Sequence, residues 1–151
     1  MANTTGTLTD PLVGFSYSLD LSGKAAGMFS EVSGIGSETE IIEVKATDPS
    51  GRDYIKKVPG RLKFTDITLK RGITDNLDFY NWRKLVEDGK IADARINATI
   101  TMYNQLLAPV AQWNLTNAWP AKITGPSMTA DSNAIGIEEL TITYDFMERK
   151  K

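Results

Sequence analysis

Apolar and polar residues alternate with a period of two along most of the chain. Val13, Phe15, Tyr17, Leu19 and Leu21 alternate with Gly14, Ser16, Ser18 and Asp20, so an extended segment would be apolar on one side only. Gly34 and Gly36 interrupt the chain before a second run, residues 39–46. Residues 47–60 open with Asp48-Pro49-Ser50-Gly51. Pro presets φ and Asp bonds its own backbone there, so the stretch reads as a turn leading a long connection. A third strand is predicted over residues 61–71. Its apolar positions change parity, from Leu62 and Phe64 to Ile67 and Leu69, which predicts a bulge near Thr65 and Asp66.

One segment, residues 75–88, has helical spacing. Phe79, Trp82, Leu85 and Val86 form a stripe. Thr74 is placed to cap it, Asp75 and Asp78 fall in the first turn, Arg83 and Lys84 come later, and Gly89 stops it. Strands then resume. Ala94, Ile96, Ala98, Ile100 and Met102 alternate with Arg95, Asn97, Thr99, Thr101 and Tyr103. Residues 110–118 and 122–125 follow as two strands separated by Asn117-Ala118-Trp119-Pro120. The last strand is expected over residues 137–148, with Leu140, Ile142, Tyr144 and Phe146 on one face. Many short strands with one helix predict a mainly β, mainly antiparallel sandwich or barrel.

Composition narrows the chemistry sharply. The chain has 151 residues, with 17 Lys and Arg against 19 Asp and Glu for a formal charge of −2. That length suits a single domain, residues 1–151. Histidine and cysteine are both absent, which excludes disulfides, thiolate nucleophiles, His-based triads and His- or Cys-ligated metals. The N-terminus has no basic start and no apolar stretch; no signal peptide is expected, and synthesis in the cytoplasm is. The uncharged run over residues 96–121 holds Asn97, Asn104, Gln105, Pro109, Gln112, Asn114, Asn117 and Pro120, too polar for a membrane span.

The remaining motifs fit chemistry poorly. Asp131, Asn133 and Gly136 begin like an EF-hand loop, but Ile135 and Ile142 stand where side-chain oxygens are required. Gly34-Ile35-Gly36 lacks the third glycine of a dinucleotide fingerprint. Glu138 and Glu139 are strand neighbours pointing to opposite faces, and Glu38 with Glu40 reads as a solvated face. No catalytic group, cofactor or metal is expected. Seven basic residues lie between positions 52 and 71 (Arg52, Lys56, Lys57, Arg61, Lys63, Lys70, Arg71) against Asp53 and Asp66. In an acidic chain with few interleaved aromatics, that patch suits another protein better than nucleic acid. The polar faces are unusual too: Gly14, Ser16 and Ser18 in one strand, and Asn97, Thr99 and Thr101 in another, carry no charge. Monomeric sheets normally show Lys and Glu to water, so these faces suit protein contact or a lined channel.

Taken in order, the motifs resemble a known family. Asp10-Pro11-Leu12-Val13 with Phe15, and Phe29-Ser30-Glu31-Val32-Ser33-Gly34-Ile35, resemble the opening of contractile-tail inner tube proteins. Lys57-Val58-Pro59-Gly60 and Phe64-Thr65-Asp66-Ile67-Thr68-Leu69-Lys70-Arg71-Gly72 resemble the next block. Trp82, Trp113-Asn114, Asn117-Ala118-Trp119-Pro120-Ala121-Lys122, Gly125-Pro126 and the closing strand continue the resemblance. The family spans tubes of contractile phages and of phage-tail-like injection particles, with the type VI secretion tube protein more distant. The resemblance implies two packed antiparallel sheets in a β-barrel-like sandwich with one flanking helix. It also implies hexameric rings stacked into a hollow tube that a contracting sheath drives through a target envelope, conducting an effector or DNA. The expected partners are therefore further copies of the chain, a contractile sheath protein, baseplate and terminator proteins, and the cargo. A tube-initiating paralogue at the baseplate shares these motifs. A monomeric ligand-binding barrel and a carboxylate-dependent hydrolase are the alternatives from other classes. Within the tube reading, the long 47–60 connection is expected to mediate ring-on-ring stacking. Asp48, Arg52, Asp53, Lys56 and Lys57 supply its charges, and Tyr54 with Ile55 its apolar anchors.

Overall fold

The computed structural model describes residues 15–74, 76–126 and 136–151. Its strands are β1 (Ser16–Asp20), β2 (Ala26–Phe29), β3 (Glu31–Ser33), β4 (Ser37–Thr47), β5 (Asp53–Phe64), β6 (Ile67–Gly72), β7 (Ile96–Tyr103), β8 (Pro109–Thr124), β9 (Ile137–Thr143) and β10 (Phe146–Arg149). The helices are α1 (Asp78–Glu87) and α2 (Ile91–Ala94), which lie between β6 and β7. All pairings are antiparallel. Eight strands join in the order β2-β1-β7-β8-β9-β6-β3, with β10 on β8, while β4 and β5 form a sheet of their own. The fold is mainly β and sandwich-like, as the sequence pattern predicts, without a closed barrel.

The sandwich halves share β8. Its first part pairs with β7 and β10, and residues 119–124 pair with β9. The expected pair of strands here is one strand. Asn117 makes the change of partner possible, because it takes a positive φ of 54° that few side chains other than Asn and Asp adopt readily. Asn97 Oδ1 accepts from its N–H at 3.2 Å, and its side-chain amide donates to Asp145 at 2.9 Å. Asp145 in turn marks where the expected last strand breaks into β9 and β10, its N–H donating to the Thr116 carbonyl. Tyr144 therefore faces the core while Phe146 is exposed.

Leu19, Ile67, Leu69, Ile100, Leu140 and Ile142 fill the core from positions the alternation marks as inward, and Leu115 joins them from β8. Into it α1 inserts Phe79 and Trp82. The helix begins three residues later than expected. Thr74 Oγ1 accepts from the Asn76 N–H and Asn76 Oδ1 from the Asp78 N–H, so these side chains build turns ahead of the helix; the expected first-turn Asp75 lies outside the described residues, as do Val13, Gly14 and the Asp131–Asn133 motif. The sequence pattern missed α2, a single turn whose Ala94 carbonyl accepts the Trp82 indole N–H at 2.7 Å. Trp82→Ala would lose both that bond and a large buried ring. It is expected to cost about 3–5 kcal/mol, measurable by urea denaturation.

Glu138 and Arg71 correct the expectation of solvated strand charges. They face each other across β6 and β9, both almost fully buried, with Arg71 Nε donating to Glu138 Oε2 at 3.4 Å. Phe29 and Phe79 stack on the guanidinium, their ring centres 5.2 and 5.0 Å away. Arg71 thus drops out of the basic surface patch. Burial, followed by the Glu138 carboxylate, raises the Tyr80 hydroxyl above its ordinary range. Glu139, one residue on, points the other way and meets Lys70 at 3.6 Å.

Candidate functional site

The expected long connection is mostly strand. Residues 53–60 belong to β5, and only the segment between Thr47 and Asp53 turns. Tyr54 and Ile55 are neighbours and the charges fall on both sides of β5, so no period of two marks this strand. The resulting hairpin runs from Ser37 to Phe64. At its tip Asp48 accepts from the Ser50 hydroxyl and from the Ser50 and Arg52 N–H groups, and its other oxygen meets Arg52 Nε at 3.1 Å. The Ser50 hydroxyl and the Arg52 N–H hold the Asp48 carboxyl below its usual range.

The hairpin has two unlike faces. Register places Ile42 opposite Val58, Val44 opposite Lys56, and Ala46 opposite Tyr54. Ile42 also lies over Gly60. On the reverse, Glu43 faces Lys57, Lys45 faces Ile55 and Thr47 faces Asp53, while Ile41 faces Pro59 nearer the root and Leu62 pairs with Thr39 beyond a register shift. The predicted contact residues therefore cluster at one tip but split between faces, Tyr54 and Lys56 on the apolar side and Ile55 and Lys57 on the charged one. The β4 half of the apolar face, Ile42 and Val44, was missed because the expected site began after Ala46.

Among the described residues, β4 and β5 pack on each other and scarcely on any other element. Ile42, Val44 and Tyr54 are each 47% exposed. A lone two-stranded hairpin is marginally stable in water, and an apolar strand face left uncovered invites a partner. The expected bulge at Thr65 and Asp66 is instead the break between two sheets, where the hairpin joins the sandwich. Gly34 lines the other side of that root with a φ of +86°, and a Cβ there would run into the Asp66 carbonyl.

Aromatic rings fix the root. Phe64 packs on Tyr144 and Phe146 with ring centres 5.8 and 6.2 Å apart, and the Tyr144 hydroxyl donates to the Thr65 carbonyl at 2.7 Å. Burial, aided by the Asp66 charge, pushes the Tyr144 hydroxyl from 10.0 to about 12. Because the folded value is the higher one, its contribution to stability is complete below pH 10 and lost as pH rises toward 12. Tyr144→Phe is expected to be less stable by about 1 kcal/mol at neutral pH and to lose part of the alkaline fall in stability, read from urea midpoints across that range.

A second surface gathers the uncharged strand faces. Ser18 of β1 lies opposite Thr101 of β7, and Thr99 and Thr101 lie opposite Asn114 and Gln112 of β8. Ser18 Oγ donates to the Tyr103 hydroxyl at 3.3 Å and Thr99 Oγ1 to Asn114 Oδ1 at 3.2 Å. A separate open groove of about 640 Å³ runs between α1, α2 and Leu21, outside the core, with Trp82 and Leu85 in its floor.

The profile described as T4-like virus tail tube protein gp19 matches residues 13–148. No curated protein sequence matches significantly. A chain of the anti-feeding prophage tube-terminating cap superposes with a TM-score of 0.68 at 23% identity, covering 99% of both chains. A chain of the sheath-tube complex of the PVC extracellular contractile injection system gives 0.66 at 24%, covering 95% of this chain and 93% of that one. Hcp1 from Flavobacterium johnsoniae gives 0.52 at 14%, covering 89% and 94%. At these identities the superpositions show a shared fold.

Proposed function

Since the chain belongs to the T4-like tail tube protein family, whose profile spans residues 13–148, we propose that it is the repeating subunit of the inner tube of a contractile tail or injection particle. The whole chain acts as one structural domain without catalysis or cofactor. Hexameric rings stack into a hollow tube, a contractile sheath surrounds it, baseplate and terminator proteins bound its ends, and cargo passes through its lumen. No described helix is long and apolar enough to cross a membrane; sheath contraction supplies the work of penetration.

The observation that carries this reading is the hairpin whose apolar face has no cover among the described residues of its own chain. A neighbouring copy is the natural cover in a ring-forming, head-to-tail assembly. Inter-ring contact is assigned to Asp48, Arg52, Asp53, Tyr54, Ile55, Lys56 and Lys57, with Ile42 and Val44 added from β4. Val44→Asp, which charges the apolar face, is expected to block assembly at concentrations where its neighbour Glu43→Ala still assembles, as read by sedimentation and negative-stain microscopy. Equal behaviour of the two would contradict the face assignment. A tube-initiating paralogue is the second reading; it would stop at single rings where a main tube subunit polymerises.

A further inference from the structure

The turn between β7 and β8 holds two leucines out from the surface. Leu106 is 88% exposed and Leu107 70%, the highest values among the large apolar side chains described. Hydrogen bonds fix the turn. Asn104 Oδ1 accepts from the Leu106 and Ala108 N–H groups at 2.9 and 3.0 Å, and the Asn104 carbonyl accepts from the Leu107 N–H at 3.0 Å. Leu107 takes a φ of +60°, a region that Gly or Asn enters at less cost. A leucine there adds backbone strain to apolar exposure, and such strain persists where a contact uses it.

A matching concavity lies at the other end of the same strand. β7 runs from Ile96 to Tyr103, roughly 25 Å at strand rise. Tyr103 pairs with Pro109 beside the turn, whereas Ile96 lines the open groove of about 640 Å³ that has Trp82 and Leu85 in its floor. The groove carries Lys24 and Arg95 against Asp78 and Asp93, a balanced set, and residues 104–109 carry no charge. A neutral rim suits an uncharged apolar tip.

We propose that the Leu106–Leu107 tip of one copy seats in the α1–α2 groove of a second copy in the next ring; the inference rests on the tube reading above. It adds a contact to the one assigned to the hairpin, on a different part of the molecule. Tip and groove are unlike surfaces at opposite ends of β7, so the contact is heterologous, and repeating it along the strand direction extends a stack without closing. Two leucines in one groove cover far less than the roughly 1,000 Å² that a lasting pairwise interface needs. Two free copies should therefore not dimerise through it. A ring makes the contact once per subunit, and linkage within the ring supplies the strength that one pair lacks. That is why another ring of this chain, and not a lone protein, is the fitting occupant.

Tube formation by the full chain tests this. Leu106→Ser with Leu107→Gly removes both side chains and relieves the positive φ. Its melting temperature should hold or rise, while the protein concentration needed for tubes should rise roughly tenfold or more. Ala92→Arg, at an exposed position lining the groove, should act the same way from the other partner. Because the sequence is cysteine-free, Leu107→Cys combined with Ala92→Cys then locates the contact. Tubes assembled under reducing conditions and oxidised afterwards should yield disulfide-linked chains spanning many rings, and neither single variant should. Unlinked protein in such tubes, or links that stop at the number of subunits in one ring, overturns the inference. Tubes from the tip or groove variant at the wild-type concentration overturn it as well. A lower melting temperature for the tip variant would show that the leucines serve the fold, which also overturns it. Failure of wild type to form tubes removes the tube reading itself, and this inference with it.

Discussion

Cutting the hairpin back is expected to abolish tube formation while leaving the sandwich folded. Glu43 and Lys57 face each other across the two strands, so removing residues 44–56 and joining them through Asn-Gly leaves a shorter hairpin closed by a two-residue turn. The cut removes Val44, Ala46, Asp48, Arg52, Asp53, Tyr54 and Lys56 but touches none of the buried core. The root is untouched as well, since Phe64, Tyr144 and the Thr65 carbonyl stay in place. Far-UV circular dichroism and the melting temperature should therefore change little, because β4 and β5 pack on scarcely any other described element. Tubes should disappear completely. Normal-length tubes from the shortened protein would move the stacking surface elsewhere.

Glu138→Ala is expected to destabilise the fold by about 3–5 kcal/mol, because removing one member of a buried pair leaves the other charged and unpaired. The partner here is Arg71, held between two aromatic rings with no hydrogen-bond acceptor for its Nη2 among the described residues. It cannot swing to water without unpacking Phe29 and Phe79. Against a typical domain stability of about 5–15 kcal/mol, that loss leaves little margin at 37 °C. Replacing both, Arg71→Met with Glu138→Leu, should recover most of it, since an apolar pair of similar volume carries no desolvation cost. Urea unfolding of the two single variants and the double variant decides this. A small effect of Glu138→Ala alone would mean that Arg71 reaches another anion or water.

Strand-level structure was legible wherever one face of a strand is buried. Leu19, Ile100 and Leu140 sit inward as their alternation required, because a one-residue slip would expose the entire set. The pattern failed where neighbouring strands change partners. The parity change after Phe64 correctly marked a discontinuity, but alternation alone cannot distinguish a bulge from a passage between sheets. Asn117 looked like a strand end because Asn and Pro nearby usually terminate strands, whereas a side chain that tolerates positive φ let β8 continue.

The form of the proposed contact was not legible in the sequence. The tip charges and Tyr54 were proposed from composition, but the strand they occupy has little buried surface to enforce a pattern, so it read as loop. The face carrying Ile42 and Val44 became visible only once register set them beside Val58 and Lys56. Glu138 was missed for a different reason: its partner is 67 residues away in sequence, and no local spacing announces such a pair. The uncharged faces of β1 and β7 were visible separately, and it took the pairing of Ser18 with Thr101 to make them one surface.

Electron microscopy of the purified protein, alone and with its baseplate, tests the central claim most directly. Stacked hollow rings, with the apolar face of the hairpin seated on a neighbouring copy, are the predicted result. A monomer at every concentration with no tubes in the presence of baseplate, or tubes whose hairpins project into solvent, would contradict it.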